Sequence, residues 1–475
     1  MPIPNKQITH IILLQLKNGT SEDIEPRTPT KLLSMASIPL AKGYEVVLID
    51  QRINENWRHD VKKHVDLGAK IIYLRSAEGK QLKYFMEATR FAISLDSKIL
   101  TVLGGSWPQT QPGTCMQDTF LEIVSYVEDY YLLSDLMEFC ERKKKMNEIL
   151  GIFYRGIEGA TIKKNDPRPI SENPYNMRLP WYIINPKAYS AIEFFPSKTS
   201  SELLTIKNTQ NSSTKFLLEE LENLEKTYGV KDFTFQDGLI TQNHEHFKEF
   251  VGTLAESGKD YKWSAAGLWV DQILSLDEKG MEDLVKSGCK TLYTDVESGN
   301  PRLLKLINKY PAVDNIKKVN QKLSNFPIKV DYKFQGGFPT ETQEEFFDTL
   351  KLMKTLKRKN KYASTPLSFY APFPGKLLYS TALEHGFKPR TSLKDWAENC
   401  EWYKQERLWL TKRMANLVEN AAFISNFSNK KIGYKDRGFL FRILSGIYSP
   451  FAKIRFKHNL YGFMIEKSVA KIIQK

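Results

Sequence analysis

The stretch KVDYKFQGGFPTETQEEFFDTLKLMKTLKR, residues 329–358, contains one complete strand–turn–helix unit. KVDYKFQGG predicts a strand that ends at Gly336 and Gly337, and EEFFDTLKLMKTLKR has the apolar spacing of a helix. Repeated βα units of this length predict a full or partial parallel barrel, whose site lies at the carboxyl ends of its strands. Four more strand-like stretches, separated by helical segments, share this half of the chain: KDFTFQD (231–237), YKWSAA (261–266), KTLYTDVESG (290–299) and TPLSFYAPFPG (365–375).

The first 140 residues also alternate strand and helix signals. The strand-like stretches are ITHIILLQL, YEVVLID, KIIYLRS and KILTVLGG. Strands that alternate with helices predict an α/β fold with a parallel sheet covered on both faces. Ligands of such sheets bind at the carboxyl ends of the strands.

Composition changes at two places along the chain. A run of three lysines followed by DPRP, ENPYN and RLPWYIINP predicts a linker with little regular structure. Beyond about residue 390 we find only helical patterns rich in aromatic and basic residues. The segments we expect are therefore 1–140, the linker 141–190, 191–390 and 391–475.

Composition and charge limit the classes of function. The chain of 475 residues is 41% hydrophobic, which is enough for two or three cores, and no apolar run predicts a transmembrane helix or a signal peptide. The four cysteines are spread singly and form no metal-binding motif, as is typical of a cytoplasmic protein. Of the net charge of +14, residues 430–475 carry +9, so nucleic-acid binding by the whole chain is not indicated.

The order of these parts and several local strings resemble one family, the radical SAM proteins with an N-terminal cobalamin-binding domain. This family includes class B methyltransferases and anaerobic cyclases. The resemblance implies a flavodoxin-like or Rossmann-like cobalamin-binding domain, then a partial (β/α)6 TIM-type barrel and a C-terminal helical region. It spans roughly residues 8–390 and is carried by VLGGSWPQTQPG, LVKSGCKTLYTDVESGNPRLLKLINK, KFQGGFPTETQEEFFDTL and YAPFPGKLLYSTALEHG.

The resemblance implies three cysteines, spaced C-x3-C-x2-C, that hold a [4Fe–4S] cluster in the first barrel loop. That loop corresponds to residues 196–208, and the best fit places Ser200, Leu204 and Lys207 at the thiolate positions. Leucine has no lone pair for iron, and a hydroxyl or an ammonium group is a poor substitute for a thiolate. We therefore expect no [4Fe–4S] cluster here.

The resemblance also implies that S-adenosylmethionine binds at the carboxyl ends of the barrel strands. Simpler roles stay open, because an aspartate and paired glycines are common in turns and a serine can cap a helix. Trp269 replaces a basic residue of the family, and we expect it to pack in the core. The positions that correspond to the family's binding residues are Asp237, Glu297, Ser298, Gly336 and Gly337.

For the N-terminal domain, the resemblance implies a cobalamin cleft at the ends of the first strands. The sequence has no D-x-H-x-x-G motif, and the family members that it resembles lack this motif too, so contacts would come from loop backbone and packing. The alternative is a sheet kept only as a scaffold. The residues expected to line the cleft are Asp50, Arg75, Ser76, Gly104, Gly105 and Trp107.

The basic tail mixes Phe, Tyr, Ile and Leu at three- and four-residue spacing with lysines and arginines. Such a helix either packs against the barrel or makes peripheral contact with an anionic membrane surface. Both alternatives remain open from the sequence.

Together these features predict a cluster-free cobalamin-binding enzyme that performs non-radical, S-adenosylmethionine-dependent methyl transfer, or related chemistry, on a small molecule. The alternative is a catalytically degenerate binding or regulatory protein that holds cobalamin, a tetrapyrrole-like ligand or an active partner enzyme. A third hypothesis is a radical enzyme whose cluster recruits the distant Cys115, Cys140, Cys289 or Cys400.

Overall fold

The chain folds into two compact α/β units. The first contains residues 1–198, 208–230 and 389–402, and the second contains 199–207, 231–388 and 403–475. The computed structural model describes residues 9–19, 26–76, 79–156, 161–169, 178–190, 192–194, 214–236, 240, 244–267, 269–309, 312–398, 407–428, 439–462 and 464.

The first unit alternates short strands with helices. Its strands are β1 (Ile11–Gln15), β2 (Val46–Asp50), β3 (Ile71–Arg75), β4 (Leu100–Gly104), β5 (Ile123–Ser125), β6 (Ile152–Arg155), β7 (Ile162–Lys164) and β8 (Ile192–Phe194). Its helices are α1 (Thr30–Ala41), α2 (Trp57–Asp66), α3 (Lys80–Leu95), α4 (Ser106–Thr110), α5 (Pro112–Cys115), α6 (Leu132–Cys140) and α7 (Thr214–Tyr228).

The first sheet has the strand order β2-β1-β3-β4-β5, and all of these neighbours are parallel. This is the doubly wound order of flavodoxin-like folds, in which ligands bind at the switch point between β1 and β3. The apolar residues of β1 and β3 are buried, as expected for strands covered on both faces. The predicted parallel sheet is therefore confirmed.

Residues 141–190 contribute more regular structure than we expected from their prolines. β6 pairs antiparallel with β5, and β7 pairs antiparallel with β6, so both strands extend the first sheet. Strands of four and three residues are too short to produce a clear periodic pattern, and pairing with an existing sheet edge supplies their hydrogen bonds.

The second unit carries the repeated βα segments. Its strands are β9 (Asp232–Phe235), β10 (Lys262–Ala266), β11 (Cys289–Glu297), β12 (Lys329–Gly336), β13 (Ala363–Ser364) and β14 (Leu367–Phe369). The remaining helices are α8 (His244–Glu256), α9 (Val270–Ser275), α10 (Glu278–Lys286), α11 (Pro301–Leu306), α12 (Val313–Leu323), α13 (Gln343–Lys359), α14 (Tyr379–Glu384), α15 (Leu393–Glu398), α16 (Lys412–Ser428) and α17 (Phe439–Lys457). Of these, α15 belongs to the first unit.

The strands of the second unit follow the order β13-β12-β11-β10-β9, with β14 beside β12. Every one of these pairs is parallel. The strands β9 to β12 are parallel, follow chain order and are each followed by a helix, which is the arrangement predicted from the sequence. The side chains of Val330, Tyr332 and Phe334 are buried on the face of the sheet that α13 contacts.

After residue 407 the described chain is helical. α16 and α17 pack against each other, and Phe427 meets the ring of Tyr448 with their centroids 5.2 Å apart. Among the described residues, no helix combines the length and apolarity needed to cross a membrane.

Candidate functional site

Parallel register aligns the carboxyl ends of the first sheet in one row. Gln15 of β1 lies between Asp50 of β2 and Arg75 of β3, and Arg75 is in turn opposite Gly104 of β4. The strands that supply these residues are far apart in sequence, but their last residues meet at the switch-point edge. The structure thus brings most of the predicted cobalamin-cleft residues to one edge of the sheet.

Asp50 is engaged within the protein at this edge. Its Oδ2 lies 2.6 Å from the Arg52 guanidinium, and the hydroxyl of Tyr189 donates to the same oxygen over 3.2 Å. Arg52 also donates to the backbone carbonyl of Arg27. The buried Asp50 carboxylate therefore fixes the loop after β2, and its charge is already compensated.

Neighbouring atoms of the protein leave no room for a side chain at Gly104 or Gly105. A Cβ on Gly104 would lie 2.0 Å from the Tyr73 hydroxyl oxygen, and a Cβ on Gly105 would lie 2.3 Å from the Ser76 carbonyl oxygen. Gly105 also has φ of +108°, where other residues are strained. Intramolecular packing therefore accounts for both glycines, and their predicted approach to a ligand stays a prediction.

Two buried polar atoms beside these glycines have no hydrogen-bond partner in the described part of the chain. They are the Oγ of Ser76 and the indole Nε1 of Trp107. The Trp107 ring is packed edge-on against Trp396 of α15, with centroids 4.8 Å apart. A buried polar group without a partner destabilises the fold, so these two atoms are unusual features of this edge of the sheet.

In the second unit, Glu297 lies at the carboxyl end of β11 in a strained conformation. Its φ is +68°, and the β11–β12 register shifts between Asp295 and Glu297. Burial raises the pKa of its carboxyl group, which lies 3.5 Å from the ammonium of Lys309. A non-glycine residue with positive φ and a buried carboxyl group at the end of a parallel strand is a candidate for a functional residue.

Ser298 follows Glu297 but directs its hydroxyl group into the protein. Its Oγ lies 3.0 Å from Oγ1 of Thr349 in α13 and accepts a hydrogen bond from the backbone N–H of Asn300. The side chain is fully buried. These contacts join the strand end to α13, and Asn300, rather than Ser298, caps α11 through its own side chain.

The turn after β12 is fixed from both sides. Cβ atoms on Gly336 and Gly337 would lie 2.4 Å from Phe346 and 2.7 Å from Phe369, so side-chain packing explains the lack of side chains there. Glu341 accepts hydrogen bonds from the backbone N–H groups of Gly337 and Phe338 through Oε2. Its Oε1 is buried without a partner in the described region, and burial raises the pKa of Glu341 to about 8.

Sequence reasoning missed a polar row on the middle of the second sheet. Asp295 and Lys333 are opposite each other on neighbouring strands, 3.7 Å apart, and each side chain is 55% exposed. Asp331 lies two residues before Lys333, accepts from Ser364, and has a pKa raised by burial. Charged residues at every second position of YTDVE and KVDYKFQ were the available signal, because such alternation marks one face of a strand.

Trp269 has the packing role that we expected. The side chain is fully buried, and its Nε1 donates to the backbone carbonyl of Tyr293 over 2.6 Å. Its ring lies against that of Tyr332, with centroids 6.3 Å apart.

The predicted cluster loop lies outside the described residues. This applies to Ser200, Leu204 and Lys207, and also to the predicted binding residue Asp237. The sequence itself has no cysteine between Cys140 and Cys289.

Two of the cysteines elsewhere in the chain are poorly suited to bind a metal. Cys115 and Cys289 are both buried, and burial raises the pKa of each thiol. A raised pKa disfavours the thiolate that an iron–sulfur cluster requires. The raised pKa values therefore argue against a cluster that recruits Cys115 or Cys289.

Comparisons with known proteins agree with this architecture. Residues 197–353 match the Radical SAM superfamily. An uncharacterized methyltransferase of Pyrococcus horikoshii is 26% identical over 313 residues, which cover 62% of this chain and 65% of that protein. The chain thus spans less than two thirds of this relative's length.

Solved structures share the fold at low sequence identity. The cobalamin-dependent S-adenosylmethionine radical enzyme OxsB with aqua-cobalamin bound has a TM-score of 0.62 at 14% identity, covering 98% of this chain and 75% of that chain. The radical S-adenosylmethionine methyltransferase TsrM from Kitasatospora setae has a TM-score of 0.59 at 13% identity, covering 77% and 73%.

Proposed function

We propose that this chain is an enzyme that uses cobalamin and S-adenosylmethionine to methylate a small molecule by polar displacement, without an iron–sulfur cluster. The match of residues 197–353 to the Radical SAM superfamily supports this proposal. One observation carries this proposal: the segment that corresponds to the cluster loop contains no cysteine, while β11 and β12 carry charged side chains that form ion pairs. Methyl transfer from a sulfonium to a nucleophile needs no radical initiator. A relative described as a methyltransferase supports the same reaction type.

We assign cobalamin to the first unit, because ligands of sheets with this strand order commonly bind at the β1/β3 switch point. The Ser76 hydroxyl and the Trp107 indole N–H support this assignment, because both are buried at this edge without a partner in the described part of the chain and are donors from which a corrinoid's amide carbonyls can accept. When bound, cobalamin supplies a metal centre that can carry a methyl group. The protein's part is to hold the ring through backbone and packing contacts, with Arg75, which is partly exposed, beside it.

We assign S-adenosylmethionine and the substrate to the open polar face of the second sheet. Without a cluster, the amino and carboxylate groups of S-adenosylmethionine need partners of opposite charge from side chains. Asp295 and Lys333 provide one of each, 3.7 Å apart. The neighbouring carboxyl groups of Glu297 and Asp331 accept hydrogen bonds from hydroxyl or ammonium groups of the bound molecules.

These residues contribute by position. A displacement at a methyl carbon requires donor and acceptor atoms to be in line and in contact, and fixing this geometry supplies a large part of the rate enhancement. Glu297 is held rigidly by burial and by its Lys309 contact, so it is suited to fix the orientation of a bound molecule. Methyl transfer releases S-adenosylhomocysteine, and the substrate's nucleophilic atom gains the methyl group.

The first test measures cobalamin and iron in one sample. The full chain is purified in air and titrated with cobalamin, and iron is determined on the same protein. We expect a saturable difference spectrum at one cobalamin per chain and essentially no iron. A flat difference spectrum, or about four irons per chain after anaerobic reconstitution, would contradict the proposal.

The second test measures binding of S-adenosylmethionine by calorimetry. Asp295→Asn combined with Lys333→Gln should weaken binding by about tenfold or more, since each removes a charged hydrogen bond. Glu282→Gln with Lys286→Gln, an exposed ion pair on α10, serves as the matched control and should leave the affinity unchanged. Equal losses in both double variants would contradict the assigned site. Formation of S-adenosylhomocysteine over time would then identify an enzyme, whereas binding without this product would identify a binding protein.

A further inference from the structure

The last described helix, α17, has an apolar stripe that faces away from the protein. Ile447, Phe451 and Ile454 are 60%, 61% and 56% exposed. They lie four and three residues apart, so their side chains are neighbours on one face of the helix. Large apolar side chains gathered in an exposed stripe mark an interaction surface, whereas single ones do not.

The opposite face of α17 is already anchored in the second unit. Ala452 and Phe456 are buried, and the ammonium groups of Lys354 and Lys357 lie 5.9 and 5.7 Å from the Phe456 ring. The side-chain amide of Asn420 donates to the Tyr461 carbonyl just beyond the helix. The helix is therefore held by one face, and its exposed stripe is not part of the unit's core.

Basic side chains lie beside the stripe. Lys453 and Lys457 are exposed on α17, and Arg455 donates to the backbone carbonyl of Leu460 at the end of the helix. The sequence of residues 430–475 carries a net charge of +9. Long lysine side chains next to an apolar stripe can keep their charges at the level of lipid headgroups while the stripe enters the acyl region.

From this geometry we propose that α17 lies in the surface of an anionic lipid bilayer, with Ile447, Phe451 and Ile454 inserted at the headgroup boundary. The helix lies in the plane of the membrane, which agrees with the lack of a membrane-spanning helix among the described residues. Each lysine near the surface adds electrostatic attraction to anionic lipid.

Two properties of the stripe favour lipid over a second copy of the chain. Two copies facing each other through α17 would place their lysines together and repel, and lysine is depleted in protein interfaces. Three side chains also supply far less area than the roughly 1,200 Å² or more that specific protein interfaces bury.

The test is co-flotation of the full chain with phosphatidylcholine vesicles, with and without phosphatidylglycerol. We expect binding only to the anionic vesicles, weakening as salt rises. Phe451→Glu combined with Ile454→Glu should reduce binding at least tenfold, and Lys453→Gln with Lys457→Gln by about 30-fold. Ile162→Glu, which alters an exposed isoleucine of β7 in the first unit, is the control and should bind as the parent chain does.

The variants alter exposed side chains, so unchanged thermal unfolding confirms that they fold. No flotation of the parent chain, or equal flotation with neutral vesicles, overturns the proposal. A dimer of the parent chain in light scattering also overturns the proposal, if Phe451→Glu combined with Ile454→Glu converts it to a monomer. None of these outcomes depends on cobalamin or on methyl transfer, so this surface stands or fails independently of the proposed function.

Discussion

At the scale of single residues, Glu341 illustrates how a buried carboxyl group can shape pH dependence. Its Oε2 accepts from two backbone N–H groups of the turn after β12, while Oε1 has no partner in the described chain. Burial dominates and raises its pKa from 4.5 to about 8. Because the folded state holds a proton that the unfolded state releases, stability is full below the ordinary pKa and declines as pH rises toward the raised one.

We expect the free energy of unfolding to fall by up to about 1.4 kcal/mol per pH unit between 4.5 and about 8, and Glu341→Gln to remove this decline. Thermal melts at pH 5, 7 and 9 would measure it. Glu345→Gln is the control of opposite sign, since the Arg302 hydrogen bond lowers the pKa of Glu345. That variant should have a lower free energy of unfolding than the parent chain at pH 7. In acid the two should be equally stable. If the stability of Glu341→Gln falls with pH as steeply as that of the parent chain, Glu341 is not the cause of the decline.

At the scale of elements, the carboxyl ends of the strands are held by hydrogen bonds between strand and helix. The Thr349 Oγ1 of α13 lies 3.0 Å from the Ser298 hydroxyl and accepts from the backbone N–H of Gly299 over 2.9 Å. A Cβ on Gly299 would lie 2.6 Å from the Asp348 carbonyl oxygen, so the strand end is pressed directly onto the helix. The strand end that carries Glu297 is therefore held by a residue fifty positions beyond Gly299 in the chain.

Replacing Thr349 with valine keeps its shape, removes the contact with the buried Ser298 hydroxyl and leaves the backbone N–H of Gly299 without this acceptor. We expect a loss of about 1–3 kcal/mol in denaturant unfolding. Thr355→Val on the same helix is the control, because the Thr355 hydroxyl bonds only to the Lys351 carbonyl. It should change stability by less than about 0.5 kcal/mol. Similar losses in both variants would show that the Ser298–Thr349 contact has no special role.

At the scale of the whole molecule, a segment from late in the chain completes the first unit. Residues 389–402 belong to that unit, and the side-chain amide of Gln117 donates to the Thr391 carbonyl while its oxygen accepts from Leu393 N–H. α15 thereby places Trp396 against Trp107 at the predicted cobalamin edge. The sequence predicts one helical region over residues 391–475, whereas the part up to residue 402 belongs to the first unit.

Replacing Trp396 with alanine should lower the free energy of unfolding by about 3–5 kcal/mol. It should also expose Trp107, which is buried in the parent chain. Intrinsic fluorescence should then shift to longer wavelength, and unfolding should begin at lower temperature. Lys394→Ala, an exposed change on the same helix, should alter neither property. Unchanged fluorescence and stability of the Trp396 variant would contradict a packing role for α15.

The sequence by itself determined the positions of the long strands and the lack of cysteines in the predicted cluster loop. Long apolar strand runs and amphipathic helices are local patterns, so the strands at Ile11–Gln15, Cys289–Glu297 and Lys329–Gly336 were predictable within a few residues. The lack of a cysteine between Cys140 and Cys289 is likewise a property of the chain alone.

Only the tertiary structure decided what the residues at the strand ends contact. The Asp50–Tyr189, Ser298–Thr349 and Trp107–Trp396 contacts join positions at least fifty residues apart. The Asp295–Lys333 pair depends on strand register, which no local pattern specifies. Periodicity reports which face a residue occupies, whereas partners across a fold are set by how the elements pack.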